Sequence, residues 1–288
     1  MPSLRKERAR WLNLHLREQP RKGKAQERDC ELSTEAHESE QRSSEILSMG
    51  RMEEAMSLTK SKGNMYDWCT HTHSHLRGKC SHACGYCYVQ AMAKRFPAMA
   101  EKYSGEITLD REELEVNYGK GRTIFIEHMN DLFAAEVTAD HIIEIMCHCR
   151  DYPDNRYVFQ SKNPNRMRFF EDMLPSNSIC GTTIESNFIH ECMDKAPSPY
   201  QRAEGIDYMG RRDIETFITI EPILKFNVID FALMIIRCNP SFVNIGADSK
   251  GHGLEEPTYD EVMDLYRRLI DAGIEVRKKI NLGRLRKP

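Results

Sequence analysis

Cys80-Ser-His-Ala-Cys84-Gly-Tyr-Cys87-Tyr88 is a C-x3-C-x2-C array of thiols, followed at once by a helix-forming run over residues 88–96. Iron–sulfur clusters are held by cysteine thiolates, and a cubane cluster ligated entirely by protein needs four of them. Three closely spaced thiolates bind three irons of a [4Fe–4S] cluster and leave the fourth iron open. An open coordination position distinguishes a reactive metal site from a closed structural one. The array therefore predicts a reactive cluster with Cys80, Cys84 and Cys87 as its ligands.

Two other interpretations of these thiols compete with the cluster. A structural zinc site usually combines one C-x2-C pair with a second pair, or with histidines at fixed spacing. Four histidines lie close enough in the sequence to keep zinc open as an alternative: His71, His73, His75 and His82. A disulfide framework is disfavoured, because the chain is long and shows no signal-peptide pattern, which favours a reducing cytosol.

The array resembles the signature of the radical S-adenosylmethionine (SAM) enzymes, C-x3-C-x-aromatic-C, with Tyr86 as the aromatic residue. Residues 80–88 are most similar to the spore-photoproduct-lyase-like branch, and residues 124–249 resemble a phage-associated radical-SAM-like family of unknown function. The resemblance extends over residues 63–280. It implies a partial (β/α)6 TIM-like barrel, a [4Fe–4S] cluster and SAM as cofactors, and Tyr86 beside the adenine of SAM. One departure is that Ile-Glu-His-Met-Asn at residues 126–130 replaces the Gly-Gly-Glu that usually meets the SAM amino group.

Length and composition describe a globular protein. The chain has 288 residues, enough for one large α/β domain with an appendage. Apolar residues make up 40% of the sequence and charged residues 30%, which is typical of soluble proteins. No uninterrupted apolar run approaches the ~18 residues that a membrane span needs. We therefore expect a cytoplasmic protein without a membrane partner.

Residues 1–62 differ in composition from the rest and are predicted to form a charged extension that precedes a domain over residues 63–288. The extension begins basic, turns acidic and is nearly free of aromatic residues. Such a segment buries too little apolar surface to offset its ordering entropy, so we expect it to be largely flexible, with short helices near residues 11–16 and 43–58. Clustered Lys and Arg also provide sequence-independent affinity for nucleic-acid phosphates. A basic arm, supported by the basic C-terminus, is therefore a second interpretation.

Beyond residue 63, β-branched and aromatic runs alternate with helical patterns. Strands are predicted at residues 65–72, 123–127, 157–160, 178–184, 215–221, 242–245 and 274–276. Helices are predicted at residues 137–150, 164–173, 200–209, 227–238 and 259–272. Such alternation indicates parallel βαβ units, and the absence of G-x-G-x-x-G after a strand disfavours a Rossmann fold. The pattern predicts a complete or partial TIM-like barrel, and the resemblance narrows this to an α/β fold with a partial (β/α)6 barrel.

Polar side chains follow several predicted strands, where barrels gather their chemistry and where an apolar core would not tolerate them unpaired. SAM presents an amino group, a carboxylate, a sulfonium cation, ribose hydroxyls and adenine. Glu185 suits the ribose or the cation, and Lys162 suits the carboxylate. Ser186 and Asn130 can hydrogen-bond the polar edges. Together with Glu221, these residues and Tyr86 are the predicted cofactor-binding set.

The remaining cysteines and histidines support weaker predictions. Cys180 lies in a predicted strand and is the candidate catalytic residue, as a hydrogen-atom donor facing the barrel interior, although a small buried residue is the commoner explanation. Cys147, His148 and Cys149 are adjacent on a helix, where neighbours point in different directions, so a shared metal is disfavoured. Three cysteines are predicted to be packing residues: Cys69, Cys192 and Cys238. The alternating histidines within residues 69–75 are candidates to line the cavity or to transfer a proton near neutral pH, and the loop around His252 is a candidate lid.

The resulting hypothesis is a radical SAM enzyme, a lyase or modifying enzyme of unknown reaction. A reduced cluster, supplied by an electron donor such as flavodoxin or ferredoxin, would cleave SAM to methionine and a 5′-deoxyadenosyl radical that abstracts hydrogen from the substrate. The resemblance and the basic termini favour a nucleic acid or nucleotide as substrate, in repair or modification. The alternative is a non-catalytic, zinc-containing nucleic-acid-binding protein.

Overall fold

The structure, a computed structural model, describes residues 58–62 and 65–286. The two short helices predicted before residue 58 lie outside the described residues, and the domain boundary at residue 62 stays a prediction. Over the described residues, no helix is both long enough and apolar enough to cross a bilayer.

Strands and helices alternate along the described chain. The strands are β1 (Thr59–Lys60), β2 (His71–His73), β3 (Leu76–Arg77), β4 (Thr108–Leu109), β5 (Thr123–Ile126), β6 (Arg156–Gln160), β7 (Ser178–Thr183), β8 (Glu215–Ile220), β9 (Phe242–Ile245) and β10 (Glu275–Lys278). The α-helices are α1 (Tyr88–Ala93), α2 (Pro97–Lys102), α3 (Ala139–Arg150), α4 (Pro164–Met167), α5 (Pro199–Gly210), α6 (Val228–Cys238) and α7 (Tyr259–Asp271). Four 3-10 turns complete the set: Arg111–Glu115, Arg168–Met173, Glu191–Met193 and Ile280–Leu285.

The main sheet has the order β1-β2-β5-β6-β7-β8-β9-β10. From β2 to β10 all neighbouring strands pair in parallel, whereas β1 pairs with β2 antiparallel. The order leaves β1 and β10 at opposite edges, so the sheet is open rather than a closed barrel. This arrangement confirms the predicted α/β class with a mostly parallel sheet.

The inner face of the sheet curls around the segment that precedes β2. The Tyr66 ring lies 6.1 Å from the Phe125 ring on β5 and 5.6 Å from the Phe217 ring on β8. Two strands separate β5 from β8, and in a flat sheet they would lie about 14 Å apart. Because one side chain touches both, the sheet must bend around it. Residues 65–69 therefore fill the inside of the partial barrel.

The outer face of the sheet packs against the long helices, and each of these helices is capped at its start. On α7, for example, Val262, Leu265 and Leu269 recur at helical spacing and are fully buried against the core. A side-chain oxygen at each helix start accepts a backbone N–H that has no partner within the helix. The capping residues are Thr138 for α3, Ser198 for α5, Asn227 for α6 and Thr258 for α7.

Two predicted elements differ in the structure. The strand expected at residues 65–72 is limited to β2, because Tyr66 and Trp68 stack on each other at 5.1 Å and point into the barrel instead of joining the sheet. The helix expected at residues 164–173 is only one turn long. It continues as a 3-10 turn, because Phe170 leaves the helical region with φ −120° and ψ 15°.

Gly181 on β7 is required by the close approach of β8. A β-carbon at this position would overlap the Phe217 ring. We expect Gly181→Ala to lower the free energy of unfolding by about 1–3 kcal/mol, the usual cost of overpacking a core. Gly283→Ala is the matched control, because nothing lies within 4 Å of its β-carbon position. Urea unfolding of both variants tests this, and equal midpoints would contradict it.

Candidate functional site

The cysteine loop, residues 78–87, lies at the carboxyl end of the parallel strands. It follows β3 and leads directly into α1, whose N-cap is Cys87. Gly78 begins the loop with φ +91°, and a β-carbon there would overlap the carbonyl of Glu106, so only glycine fits this position. The Asn130 amide, beyond the end of β5, donates to the Gly78 carbonyl at 3.0 Å. The start of the loop is thereby fixed to the sheet.

A buried histidine–aspartate pair holds the middle of the loop. His82, between the first two cysteines, lies 2.8 Å from the Asp131 carboxylate through its Nε2 atom. Asp131 also accepts the Ser161 hydroxyl at 2.6 Å and the Lys162 backbone N–H at 2.8 Å. Burial would raise the pKa of Asp131, but His82 and these hydrogen bonds lower it below its ordinary value. The charged carboxylate therefore ties the loop to the end of β6.

A second carboxylate, Glu185 after β7, binds the aromatic residue of the array. The Tyr86 hydroxyl donates to Glu185 Oε1 at 2.5 Å, and Lys162 Nζ donates to the same oxygen at 2.5 Å. Lys162 also lies 4.9 Å from the centre of the Tyr86 ring, a cation–π contact. Arg202 of α5 donates to Glu185 Oε2 at 2.6 Å. We call Tyr86, Lys162, Glu185 and Arg202 the clamp.

The Glu185–Arg202 pair of the clamp is charged although it is buried. The side chains of Glu185 and Arg202 are both 0% exposed. Burial by itself would raise the pKa of Glu185, but the charges of Lys162 and Arg202 lower it to about 2. Both carboxylate oxygens accept hydrogen bonds within the clamp, so Glu185 positions Tyr86 and Lys162.

The three thiols of the array lie within electrostatic range of one another. Burial, with the neighbouring Asp131 carboxylate, raises the pKa of Cys80 to about 12. Burial also raises the pKa of Cys84, against the lowering effect of Lys162. Three adjacent thiolates repel each other, so ionising all of them requires a bound cation, and binding must release protons. This donor set fits an iron–sulfur cluster.

No three histidine, cysteine or acidic side chains within residues 58–62 and 65–286 converge to hold one metal ion. In a cubane cluster each thiolate binds a different iron. Convergence of the three sulfurs on one point is therefore not required for a cluster.

Two buried polar atoms beside the cysteine loop have no hydrogen-bond partner among the described residues. They are Nη2 of Arg202 and Oδ1 of Asn130. Buried polar groups are nearly always hydrogen-bonded. A free donor and a free acceptor therefore lie next to the array.

A second polar group lies inside the barrel, and it contains Glu221. Lys279 donates to Glu221 Oε2 at 2.6 Å, and Asn281 donates to Oε1 at 2.7 Å. The Tyr66 hydroxyl donates to Gln160 at 2.6 Å, and Lys279 lies 5.1 Å from the Tyr66 ring centre. Glu221 is thus part of an interior network with Lys279 and Asn281.

The other predicted site residues lie elsewhere. Ser186 is fully buried, and its hydroxyl donates to the Lys225 carbonyl at 2.6 Å, so it holds its own loop. Cys180 is fully buried in the cluster that packs against the helices, whereas the neighbouring Ile179 belongs to the inner cluster. Cys180 therefore points away from the barrel interior, and its placement does not support the predicted role as a hydrogen-atom donor.

His73, at the end of β2, and His75, just after it, form a buried cluster instead of lining the cavity. The His75 ring lies 2.7 Å from Glu127, 2.8 Å from the Tyr118 hydroxyl and 3.3 Å from His148. The His73 ring centre lies 4.3 Å from that of His75. Tyr118 lies in the core between the sheet and the helices, and His148 lies on α3. The prediction that His73 and His75 line the cavity is therefore wrong. Glu127 also accepts the backbone N–H of His75 at 2.6 Å. Its carboxylate is therefore held within this buried cluster.

The buried cluster makes stability depend on pH. Burial, with repulsion from His75 and His148, lowers the pKa of His73 from 6.5 to about 2. Below pH 6.5 the unfolded chain binds a proton at His73 that the folded chain excludes, so the free energy of unfolding falls as the pH falls. We expect His73→Gln to reduce the slope of stability against pH, between pH 6 and 4.5, by about 1.4 kcal/mol per unit. Denaturant titrations at each pH measure this slope, and parallel curves for the two proteins would contradict the prediction.

Sequence analysis missed Arg202 and Asp131. Arg202 lies four residues before Ile206 and seven before Met209 along α5, on the face that is buried. An arginine within an apolar helical stripe is the signal that could have revealed it. Asp131 follows β5 within the polar run, but nothing in the sequence connects it to His82. The partner becomes apparent only when the loop is folded.

The family model described as "Protein of unknown function (DUF5131)" matches residues 64–249, more than half of the chain. No curated protein shows a significant match. Among solved structures, two variants of spore photoproduct lyase superimpose with TM-scores of 0.54 and 0.53 at 8% and 9% identity. The first match covers 83% of this chain and 93% of that chain, and the second covers 88% and 87%. A third structure, spore photoproduct lyase with bound AdoMet and dinucleoside spore photoproduct, matches with a TM-score of 0.49 at 10% identity, covering 84% and 72%.

At such identities the likeness to solved structures concerns the fold alone. The match of the family model rests on the sequence and spans the cysteine loop, the clamp and the strands from β2 to β9. The chain therefore belongs to the family of proteins of unknown function DUF5131, and it has the fold of spore photoproduct lyase, a radical SAM enzyme.

Proposed function

We propose that the chain is a radical SAM enzyme, in which Cys80, Cys84 and Cys87 hold a [4Fe–4S] cluster with one iron left for SAM. The observation that carries the proposal is a three-thiol loop, fixed at the carboxyl edge of a parallel sheet, against a buried clamp of charged residues. When bound, the cluster supplies the electron that cleaves SAM reductively. The side chains around the cysteine loop bind and orient SAM.

The clamp orients Tyr86, which lies beside the adenine in the proposed complex with SAM. The Tyr86 ring is fixed by its hydrogen bond to Glu185 and by the Lys162 ammonium over its face. Fixed aromatic and charged groups need no reorganisation when a cofactor binds. Glu185 thus acts as a positioning residue behind the residues that contact SAM.

The two unpartnered atoms suit the polar end of SAM. Arg202 Nη2 is a buried donor that matches a carboxylate, and Asn130 Oδ1 is a buried acceptor that matches an amino group. Lys162, whose side chain is 17% exposed, adds a second cation for the carboxylate. Asn130 thereby takes the place of the missing Gly-Gly-Glu pattern as the proposed partner of the amino group.

We further propose that the substrate is a nucleic acid or nucleotide. One structure of spore photoproduct lyase holds a dinucleoside. Exposed cations lie in the cysteine loop, just after α1 and on the connection that is hydrogen-bonded to the loop: Lys79, Lys94, Arg95 and Lys195. Clustered cations attract phosphates independently of base sequence. A reductant such as flavodoxin or ferredoxin would supply the electron.

Anaerobic turnover tests the proposed function. The full chain, reconstituted with iron and sulfide, is mixed with SAM and dithionite, and 5′-deoxyadenosine is measured by chromatography. We expect formation above the protein-free rate, and a further increase with one of three candidates: single-stranded DNA, RNA or nucleotides. No 5′-deoxyadenosine from a chain that carries its cluster would contradict the proposal, and a colourless chain that binds zinc and DNA would support the non-catalytic alternative.

A further inference from the structure

A fourth cysteine, Cys192, lies against the cysteine loop. It belongs to the short 3-10 turn Glu191–Met193, in the connection between β7 and α5. This connection runs antiparallel to the loop, since the Lys195 N–H donates to the His82 carbonyl at 3.1 Å and the Gly85 N–H donates to the Cys192 carbonyl at 2.8 Å. Among the described cysteines outside the loop, Cys192 is the one with a backbone hydrogen bond to it.

Cys192 packs against Gly85 of the cysteine loop. A β-carbon on Gly85 would lie 3.5 Å from the β-carbon of Cys192. Cys192 therefore lies against the residue that follows Cys84 in the array. The electrostatic neighbours of this thiol are Glu185, Cys84 and Lys162, which places it between the array and the clamp.

The remaining described cysteines are in different environments. Cys149, Cys180 and Cys238 are buried in the helix-facing core, and Cys69 is buried in the aromatic cluster inside the barrel. Cys147 is half-buried on α3. Cys192 is half-buried and hydrogen-bonded through its backbone to the cysteine loop. A thiol that reaches both solvent and a metal site can exchange its proton with water.

We propose that Cys192 is a fourth thiolate ligand, which closes the open iron of the cluster until SAM displaces it. This inference rests on the proposed function. The Cys192 thiol releases its proton to water, and a sulfur–iron bond forms without electron transfer. When SAM binds through its amino and carboxylate groups, that bond breaks and the thiolate regains a proton from water. Lys162 stabilises the thiolate in the closed state.

A closing thiolate has two measurable consequences. It protects the open iron from oxidative loss when SAM is absent, because a cluster with four protein ligands has no exposed iron. It also competes with SAM. The apparent dissociation constant for SAM is therefore the intrinsic value divided by the fraction of molecules in which the iron is open. Both effects concern the resting protein and are independent of turnover.

The experiment compares the full chain with Cys192→Ala and Cys192→Ser after anaerobic reconstitution. Cys147→Ala is the control, since Cys147 lies on α3, away from the loop. Each protein is exposed to a mild oxidant without SAM, and the growth of the [3Fe–4S] signal is followed by electron paramagnetic resonance. We expect growth about tenfold faster in Cys192→Ala than in the wild type and the control, and a SAM dissociation constant about tenfold lower by equilibrium dialysis. Cys192→Ser keeps the size of the side chain and should resemble Cys192→Ala.

Equal rates of iron loss and equal SAM affinities in wild type and Cys192→Ala would overturn the inference while leaving the proposed function intact. A wild-type chain that assembles no cluster would instead overturn the proposed function itself. Far-ultraviolet circular dichroism and the melting temperature show whether each variant is folded. If only Cys192→Ala is unfolded, the serine variant decides between the two outcomes.

Discussion

Replacing Cys84 by alanine should abolish SAM cleavage by the reconstituted chain. Cys84 is the most buried thiol of the array, at 5% exposure, and lies closest to the clamp by its contacts. Only two thiolates of the array remain, and even with Cys192 as a third ligand no thiolate is left for the iron that Cys84 would hold. We expect loss of the visible absorbance of the cluster and a fall in 5′-deoxyadenosine formation to the protein-free rate.

Cys147→Ala is the matched control for this loss. It removes one cysteine from a chain that has ten, and it should keep both the absorbance and the cleavage rate. Cys80→Ala and Cys87→Ala should behave as Cys84→Ala does. Cleavage at the wild-type rate by any of the three would contradict the assignment of the array.

Replacing Glu185 by glutamine should destabilise the folded chain more than any other single polar change in the site. The substitution leaves Arg202, which is 0% exposed, without a carboxylate partner. Breaking a buried ion pair on one side costs about 3–5 kcal/mol, because the remaining charge stays buried. The free energy of unfolding from guanidinium titration at pH 7 measures this loss.

The pH dependence of the same pair gives a second readout. An acid whose pKa is lowered on folding contributes stability that is present above its unfolded value and is lost as the pH falls through the folded value. For Glu185 this window runs from about 4.5 down to about 2. The difference in stability between wild type and Glu185→Gln should therefore narrow below pH 4.5.

Glu191→Gln is the control for Glu185→Gln, because Glu191 is exposed on the same connection. Its effect should stay within about 0.5 kcal/mol, as for most surface substitutions. A change at Glu185 as small as that at Glu191 would show that the clamp does not hold the folded chain together. The positions of Tyr86 and Lys162 would then need another explanation.

The parallel sheet was predictable because its signals are local. Strands such as β5 and β9 are short β-branched runs bounded by glycine or proline, and the helices between them bury residues at a period of 3.6. The interior of the barrel was not predictable. Tyr66 and Trp68 look like part of a strand, and only the long-range contacts with Phe125 and Phe217 show that they fill the barrel.

The candidate site was predictable where residues are close in sequence and obscure where they are not. The thiol array is defined by its spacing, and Lys162 and Glu185 were found because charged residues rarely follow buried strands without a partner. The pairing of His82 with Asp131, and of Arg202 with Glu185, joins positions in different βα units. A single sequence carries no signal for such pairs, because their members lie far apart along the chain. Cys192 was interpreted as a packing residue for the same reason, since its neighbour Gly85 lies in a distant segment.

Metal analysis of the full chain purified without oxygen tests the central claim most directly. The account predicts about four irons and about four acid-labile sulfides per chain, both lost in Cys84→Ala and retained in Cys147→Ala. A chain that instead holds about one zinc and no sulfide, released when the same thiols are replaced, would contradict it.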